Sequence, residues 1–204
     1  ACRALQEVNN FAPGGFAEYL RVSGRSVRTG ILKLPDPVSY EVGTFVEPLA
    51  TVVRGLRTTG LAPGDSVLVY GAGAVGGYVG GILTAAGADV TLVARGALHD
   101  ALKQRGLILE GPKSGRLDPI RVRVCRPGEE KPPYDLIFVG LKSHQIAKAA
   151  APMVSLMAKD GMMLLAQNGL PYWYFEKLDS PLRGSRLKSL DPDGALAKTI
   201  PIDS

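Results

Sequence analysis

Cysteine and histidine are scarce: the 204 residues hold two of each, Cys2, Cys125, His99 and His144. Two distant cysteines make neither a disulfide framework nor a CxxC pair, so a reducing compartment is expected. The same scarcity leaves no four-ligand zinc pattern, and no metal is expected. Long hydrophobic runs are missing too. The opening ACRALQEVNN has no apolar signal core, and later apolar stretches are short and broken by glycine. No membrane partner is expected, and the cytoplasm is the expected location. Charge of one sign is in only slight excess, 24 Lys and Arg against 19 Asp and Glu, or +5. No basic block with interleaved aromatics occurs, which argues against nucleic acid as a partner. The small excess suits an anionic ligand such as a nucleotide phosphate, or simply a basic surface.

What is present is a regular alternation. Residues 1–40 read as loops and short strands, with FAEYLRV (16–22) and ILKLP (31–35) as the strand candidates. From Val42 to Thr59, apolar residues at 45, 49, 52, 53 and 56 recur at helical spacing, with Pro48 in the first turn or at a kink before it. Gly60 ends that helix, and Pro63, Gly64 and Asp65 turn the chain. Strand VLVY (67–70), a glycine-rich helix, strand DVTLVA (89–94) and a short helix near 97–104 follow. A β-excursion through PIRVRVC, strand DLIFVG (135–140), helix 144–157 and strand MMLLAQ (162–167) complete the series. Uninterrupted apolar strands fit a parallel sheet covered on both faces. The expectation is an α/β fold, a Rossmann-type doubly wound parallel sheet preceded by a partial β-rich segment and a helix. The expected divisions are 1–62, a dinucleotide-binding domain over 63–170, and an irregular tail over 171–204.

The sharpest signal is the loop Gly71-Ala72-Gly73-Ala74-Val75-Gly76, directly after an apolar strand and opening a helix. That context turns a weak glycine pattern into a strong one. Gly71 permits the tight turn, Gly73 clears the approach of a pyrophosphate, and Gly76 allows close packing of helix on sheet. Ala74, Val75 and Gly76 then offer first-turn N–H groups and the positive helix end to the phosphates. After the second strand stands Arg95, where an NAD site usually has Asp or Glu. Its planar fork suits a 2′-phosphate, so NADP is the expected cofactor. A solvated surface arginine is the rival reading.

On these residues the chain resembles two families. GAGAVGGYVG (71–80), DVTLVARG (89–96), VGLKSHQ (139–145) and LLAQNGLPYWYF (164–175) resemble the N-terminal half of ketopantoate reductases, over about residues 66–204. PGGFAEYLRV (13–22), ILKLPDPVSYE (31–41), FVEPLATVVRGL (45–56) and LAPGDSVLVYGAGAVG (61–76) resemble the zinc-dependent medium-chain dehydrogenases of the polyol and threonine type. The glycine loop fits both, which places the junction of a fusion or chimera in or near it. An incomplete sequence would look the same.

The ketopantoate reductase resemblance implies NADPH-dependent reduction of a small 2-keto acid. It implies that Lys142 and Asn168 stand near the nicotinamide ribose and the substrate as catalytic and binding residues, and that Gln145 occupies the cofactor cleft. Without the resemblance, Lys142 reads equally as a solvated strand-end lysine and Asn168 as a turn residue before Gly169. The family's proton donor, a lysine supported by a glutamate, belongs to a helical C-terminal domain, and Lys177, Lys188 and Lys198 lie in no matching stretch. A homo-oligomer, or another chain supplying that domain, is therefore an open expectation, as is a catalytically silent dinucleotide-binding module. The medium-chain resemblance implies that Glu47 matches a glutamate near the catalytic metal and that Cys2 is a relic of the structural-zinc lobe. Its last cysteine would fall around Asn10 and Ala12, where none occurs. His144 is expected to start a helix and His99 to lie on the surface.

Overall fold

The computed structural model describes residues 11–12, 18–111, 115–116 and 118–200. Cys2, Asn10 and the first part of the 13–22 stretch lie outside them. Two compact units divide the chain, Ala1–Gly43 and Thr44–Ser204.

In the first unit, β1 (Phe11–Ala12) pairs antiparallel with β2 (Arg21–Val22). Helix α1 (Gly24–Gly30) follows, capped where the Ser26 amide donates to Ser23 Oγ at 3.3 Å. A helix was not expected there, because GRSVRTG has no apolar stripe; the serine cap is the local signal for it. ILKLP forms no strand. Among the described residues it pairs with no strand, and Leu32 is 89% exposed. A short helix, α2 (Tyr40–Gly43), ends the unit.

The second unit opens with α3 (Val46–Thr58), so the expected helix of 42–59 is interrupted at residues 44–45. Pro48 sits in its first turn, where a missing N–H breaks no helical bond. Strands β3 (Ser66–Tyr70), β4 (Asp89–Val93), β7 (Arg123–Cys125), β8 (Tyr134–Val139) and β9 (Met157–Leu165) form one sheet in the order β7-β4-β3-β8-β9, every pair parallel. Between β4 and β7 a short hairpin, β5 (Glu110–Gly111) with β6 (Gly115–Arg116), leaves the sheet. Thus RVRVC is not only an excursion: its last part is the sheet's edge strand. The local sequence could not distinguish the two, since three residues carry no period of their own. Strand β9 also begins five positions earlier than MMLLAQ, with a register shift between Tyr134 and Leu136, because edge pairing tolerates the polar AKDG stretch.

Side-chain alternation sorts the core onto two faces. Val67, Val69, Leu136 and Phe138 pack with Val79 and Leu83 of α4 (Ala74–Ala85) and with Val52 of α3. Leu68, Tyr70, Ile137 and Val139 pack with Ile146, Ala150 and Met153 of α6 (Ser143–Ser155). Close approach of α4 depends on its glycines. A Cβ on Gly80 would lie 2.5 Å from Leu92 Cδ2, and one on Gly76 would run into the Gly71 carbonyl oxygen. Helix α5 (Gly96–Arg105) buries Leu102 and His99. His99 is therefore not a surface residue: it is 3% exposed, with Nδ1 2.8 Å from Asp100 Oδ1. That carboxylate also accepts from Arg126 at 3.2 Å, and its pKa is held low chiefly by the histidine hydrogen bond. The tail after β9 is mostly turns, closed by α7 (Ala195–Thr199). None of the helices among the described residues is long and apolar enough to cross a membrane.

Candidate functional site at the carboxyl edge of the sheet

Parallel register brings four strand ends to one level. Tyr70 is opposite Val93 on one side and Val139 on the other, and Val139 is opposite Leu165. The segments that carry Gly71, Arg95, Lys142 and Asn168 thus leave the sheet side by side. Order reverses between β3 and β8, one connection going each way, and such a switch point is where a doubly wound sheet takes its ligand.

Each glycine of the loop has its own constraint. Gly71 has φ +101°, and a Cβ there would stand 3.1 Å from the Gly140 carbonyl carbon and oxygen. Gly76 is closed to a side chain by Gly71 itself. Gly73 has neither reason: its φ is −71° and a Cβ would meet nothing within 4 Å. Nothing inside the protein requires glycine at 73, whereas a group arriving from outside would. No side chain caps α4 at Gly73, so Ala74, Val75 and Gly76 present the helix's open N-terminus there.

A cleft of about 900 Å³ opens beside this loop. Its walls are Gly71 and Ala72, the end of β4 with Arg95, the face of α6 with His144, Gln145 and Lys148, and the Pro127–Glu130 segment. Arg95 is exposed at the start of α5, followed by Gly96 at φ +54°. Gln145 Oε1 accepts from the Lys142 backbone N–H at 3.1 Å, which fixes the amide at the head of α6. On the cleft floor the Tyr70 hydroxyl donates to Glu130 Oε1 at 2.8 Å. Burial first, then the Glu130 hydrogen bond and charge, push the Tyr70 pKa well above its ordinary value. The Gly128 amide donates to Glu130 Oε2 at 2.7 Å.

Lys142 and Asn168 do not line this cleft. Both are exposed, three residues past Val139 and Leu165, the register pair that ends β8 and β9. Gln167 Nε2 donates to the Leu141 carbonyl at 3.3 Å and ties their two loops together. Tyr70, Glu130 and Lys148 were not legible as site residues. For Tyr70 a signal existed, a polar-tipped ring ending an otherwise aliphatic strand; for the loop residue Glu130 there was none. Cys125 is buried in the core with its thiol pKa pushed up to about 11 by burial.

The family model described as ketopantoate reductase PanE/ApbA matches residues 67–172, from the first sheet strand to just past Asn168. The chain belongs to the ketopantoate reductase family. A 2-dehydropantoate 2-reductase of Mesorhizobium japonicum is 36% identical over 135 residues, 66% of this chain and 41% of that protein. A crystal structure assigned as a ketopantoate reductase from Ralstonia solanacearum superposes with TM-score 0.59 at 33% identity, covering 68% of this chain and 42% of that one. The chain therefore spans well under half the length of these relatives. A different similarity is to (R,R)-butanediol dehydrogenase of Bacillus subtilis, 43% identical over 75 residues, 37% of this chain and 20% of that protein. The chain is thus similar in part to medium-chain dehydrogenases as well. Glu47 is exposed on α3 and accepts from Thr51 Oγ1 at 3.2 Å. Among the described residues no group of three or more His, Cys, Asp or Glu side chains could hold a metal ion.

Proposed function

We propose that this sheet holds NADP(H) and that it serves the reduction of a small 2-keto acid to the 2-hydroxy acid. The carrying observation is Gly73: a glycine with ordinary φ and empty space over its Cα, at the uncapped end of a helix. The residues fit a dinucleotide. Gly71 and Gly73 let the backbone approach a pyrophosphate, and Ala74, Val75 and Gly76 turn N–H groups and the positive helix end toward it. Arg95, in the cleft wall, pairs with a 2′-phosphate through its planar fork. Gln145 orients its amide on the α6 wall of the same cleft. Lys142 draws in the substrate carboxylate, and the Asn168 amide fixes cofactor or substrate orientation at the edge of β8 and β9. Bound NADPH supplies the hydride. Residues 63–170 carry this cofactor role.

The test is titration of the folded chain with NADPH, followed by fluorescence and calorimetry. Saturable binding that weakens when Gly73 is replaced by leucine supports the reading. A flat response in both measurements sinks it.

A further inference from the structure

The cleft has a pole that phosphate recognition leaves unused. Arg95 and Lys148 bring positive charge to its walls, and Glu130 lines the same cleft without forming a salt bridge to either among the described residues. It is half-buried, and both of its oxygens are already fixed, one by the Tyr70 hydroxyl and the other by the Gly128 amide. Gly128, which donates that hydrogen bond, sits at φ +92°, a conformation that a side chain would strain. The segment Arg126–Pro133, between β7 and β8, contains no helix, so this carboxylate comes from a loop fastened to the sheet by Tyr70.

A carboxylate oxygen with one hydrogen bond keeps a lone pair for a second donor. A fixed anion beside an Arg-lined phosphate subsite repels phosphate, so the ligand group that faces it must be neutral and rich in N–H. A nucleotide offers such a group in the exocyclic amine of its purine. We propose that Glu130 is the base-reading residue of the cleft, accepting a hydrogen bond from the 6-amino group of the adenine ring, with Tyr70 as its positioning residue. This rests on the NADP(H) reading above and goes beyond it by assigning the base end of the ligand.

A site that pairs with an N–H donor rejects an analogue presenting an oxygen in its place. The experiment compares NADPH with its hypoxanthine analogue, in which the 6-amino group is replaced by a carbonyl oxygen. Binding to the intact chain is followed by calorimetry. The unmodified chain is expected to prefer NADPH by about tenfold or more, as for loss of a hydrogen bond to a charged group. Glu130→Ala should bring that ratio near one while leaving the NADPH to NADH ratio unchanged. Tyr70→Phe should lower the purine ratio less, since it frees the carboxylate without removing it. A ratio near one in the unmodified chain, or an unaltered ratio in Glu130→Ala, overturns the proposal while NADPH binding stands. Failure of the unmodified chain to bind NADPH at all refutes the underlying reading instead. Circular dichroism on each variant keeps misfolding from imitating a loss of selectivity, and Glu130→Gln provides a second variant that keeps the side-chain volume.

Discussion

The Cα of Gly76 faces the carbonyl oxygen of Gly71 with no room for a Cβ between them. Gly73, midway in the same loop, has open space. Two glycines of one motif thus answer to different partners. Gly76→Ala must displace backbone and should cost roughly 1–3 kcal/mol of stability or more. Gly73→Ala should leave stability unchanged or slightly improved, since its φ and ψ suit alanine, while weakening NADPH binding. Urea denaturation beside NADPH titration separates the two effects. Equal destabilisation by both changes would remove the ligand argument for Gly73.

Arg95 is exposed in the cleft wall and donates no cap to α5. Arg95→Ala should therefore spare the fold and remove a charge-assisted contact of about 1.5–3 kcal/mol. In affinity this is about 10- to 150-fold for NADPH, with little change for NADH. Parallel loss of both cofactors would assign the arginine a packing role.

Stability should fall at alkaline pH. Burial raises the Cys125 thiol from 9.0 to about 11 and the Tyr172 phenol from 10.0 to about 12, and Tyr70 moves upward too. Groups raised by folding contribute fully below their unfolded values, and that contribution is lost as pH rises through the folded ones. The denaturant midpoint should therefore hold to about pH 9 and drop toward pH 12, less steeply in Cys125→Ala. The native thiol should also resist alkylation at pH 8, where only about one in a thousand is thiolate. Rapid labelling of folded protein would contradict its burial.

Asp191 is 2% exposed, and its two oxygens accept from the Leu196 and Ala197 amides at 3.0 and 3.1 Å. The Tyr172 hydroxyl donates to the Ile200 carbonyl at 2.7 Å beside them. Asp191→Ala orphans two amides, at about 1–3 kcal/mol for each that is buried. Hydrogen exchange should accelerate first at residues 195–200 and leave β3 and β8 protected. Uniform acceleration across the sheet would show that the tail is part of the global folding unit.

Much of this protein was legible as one-dimensional pattern. The apolar runs at 67–70 and 135–140 each reveal a doubly covered strand, because both faces of such a strand must be apolar. The Gly71–Gly76 spacing after a strand reveals the loop, because turn, approach and packing each exclude a side chain at a defined step. Tertiary structure decided what depends on partners distant in sequence. ILKLP has a strand's composition yet pairs with no strand among the described residues, while Arg123–Cys125 is too short to show a period and becomes a strand by pairing with β4. His99 looks like a polar helix residue, yet α5 turns it inward and Asp100 satisfies its ring. Lys142 and Asn168 lie past the ends of β8 and β9, where the strand pattern puts them, but only the tertiary structure shows that they do not line the cleft of Arg95 and Gln145. Glu130 reaches that cleft through a hydrogen bond to Tyr70 spanning sixty positions of sequence, and a contact of that range exists only once the sheet has closed it.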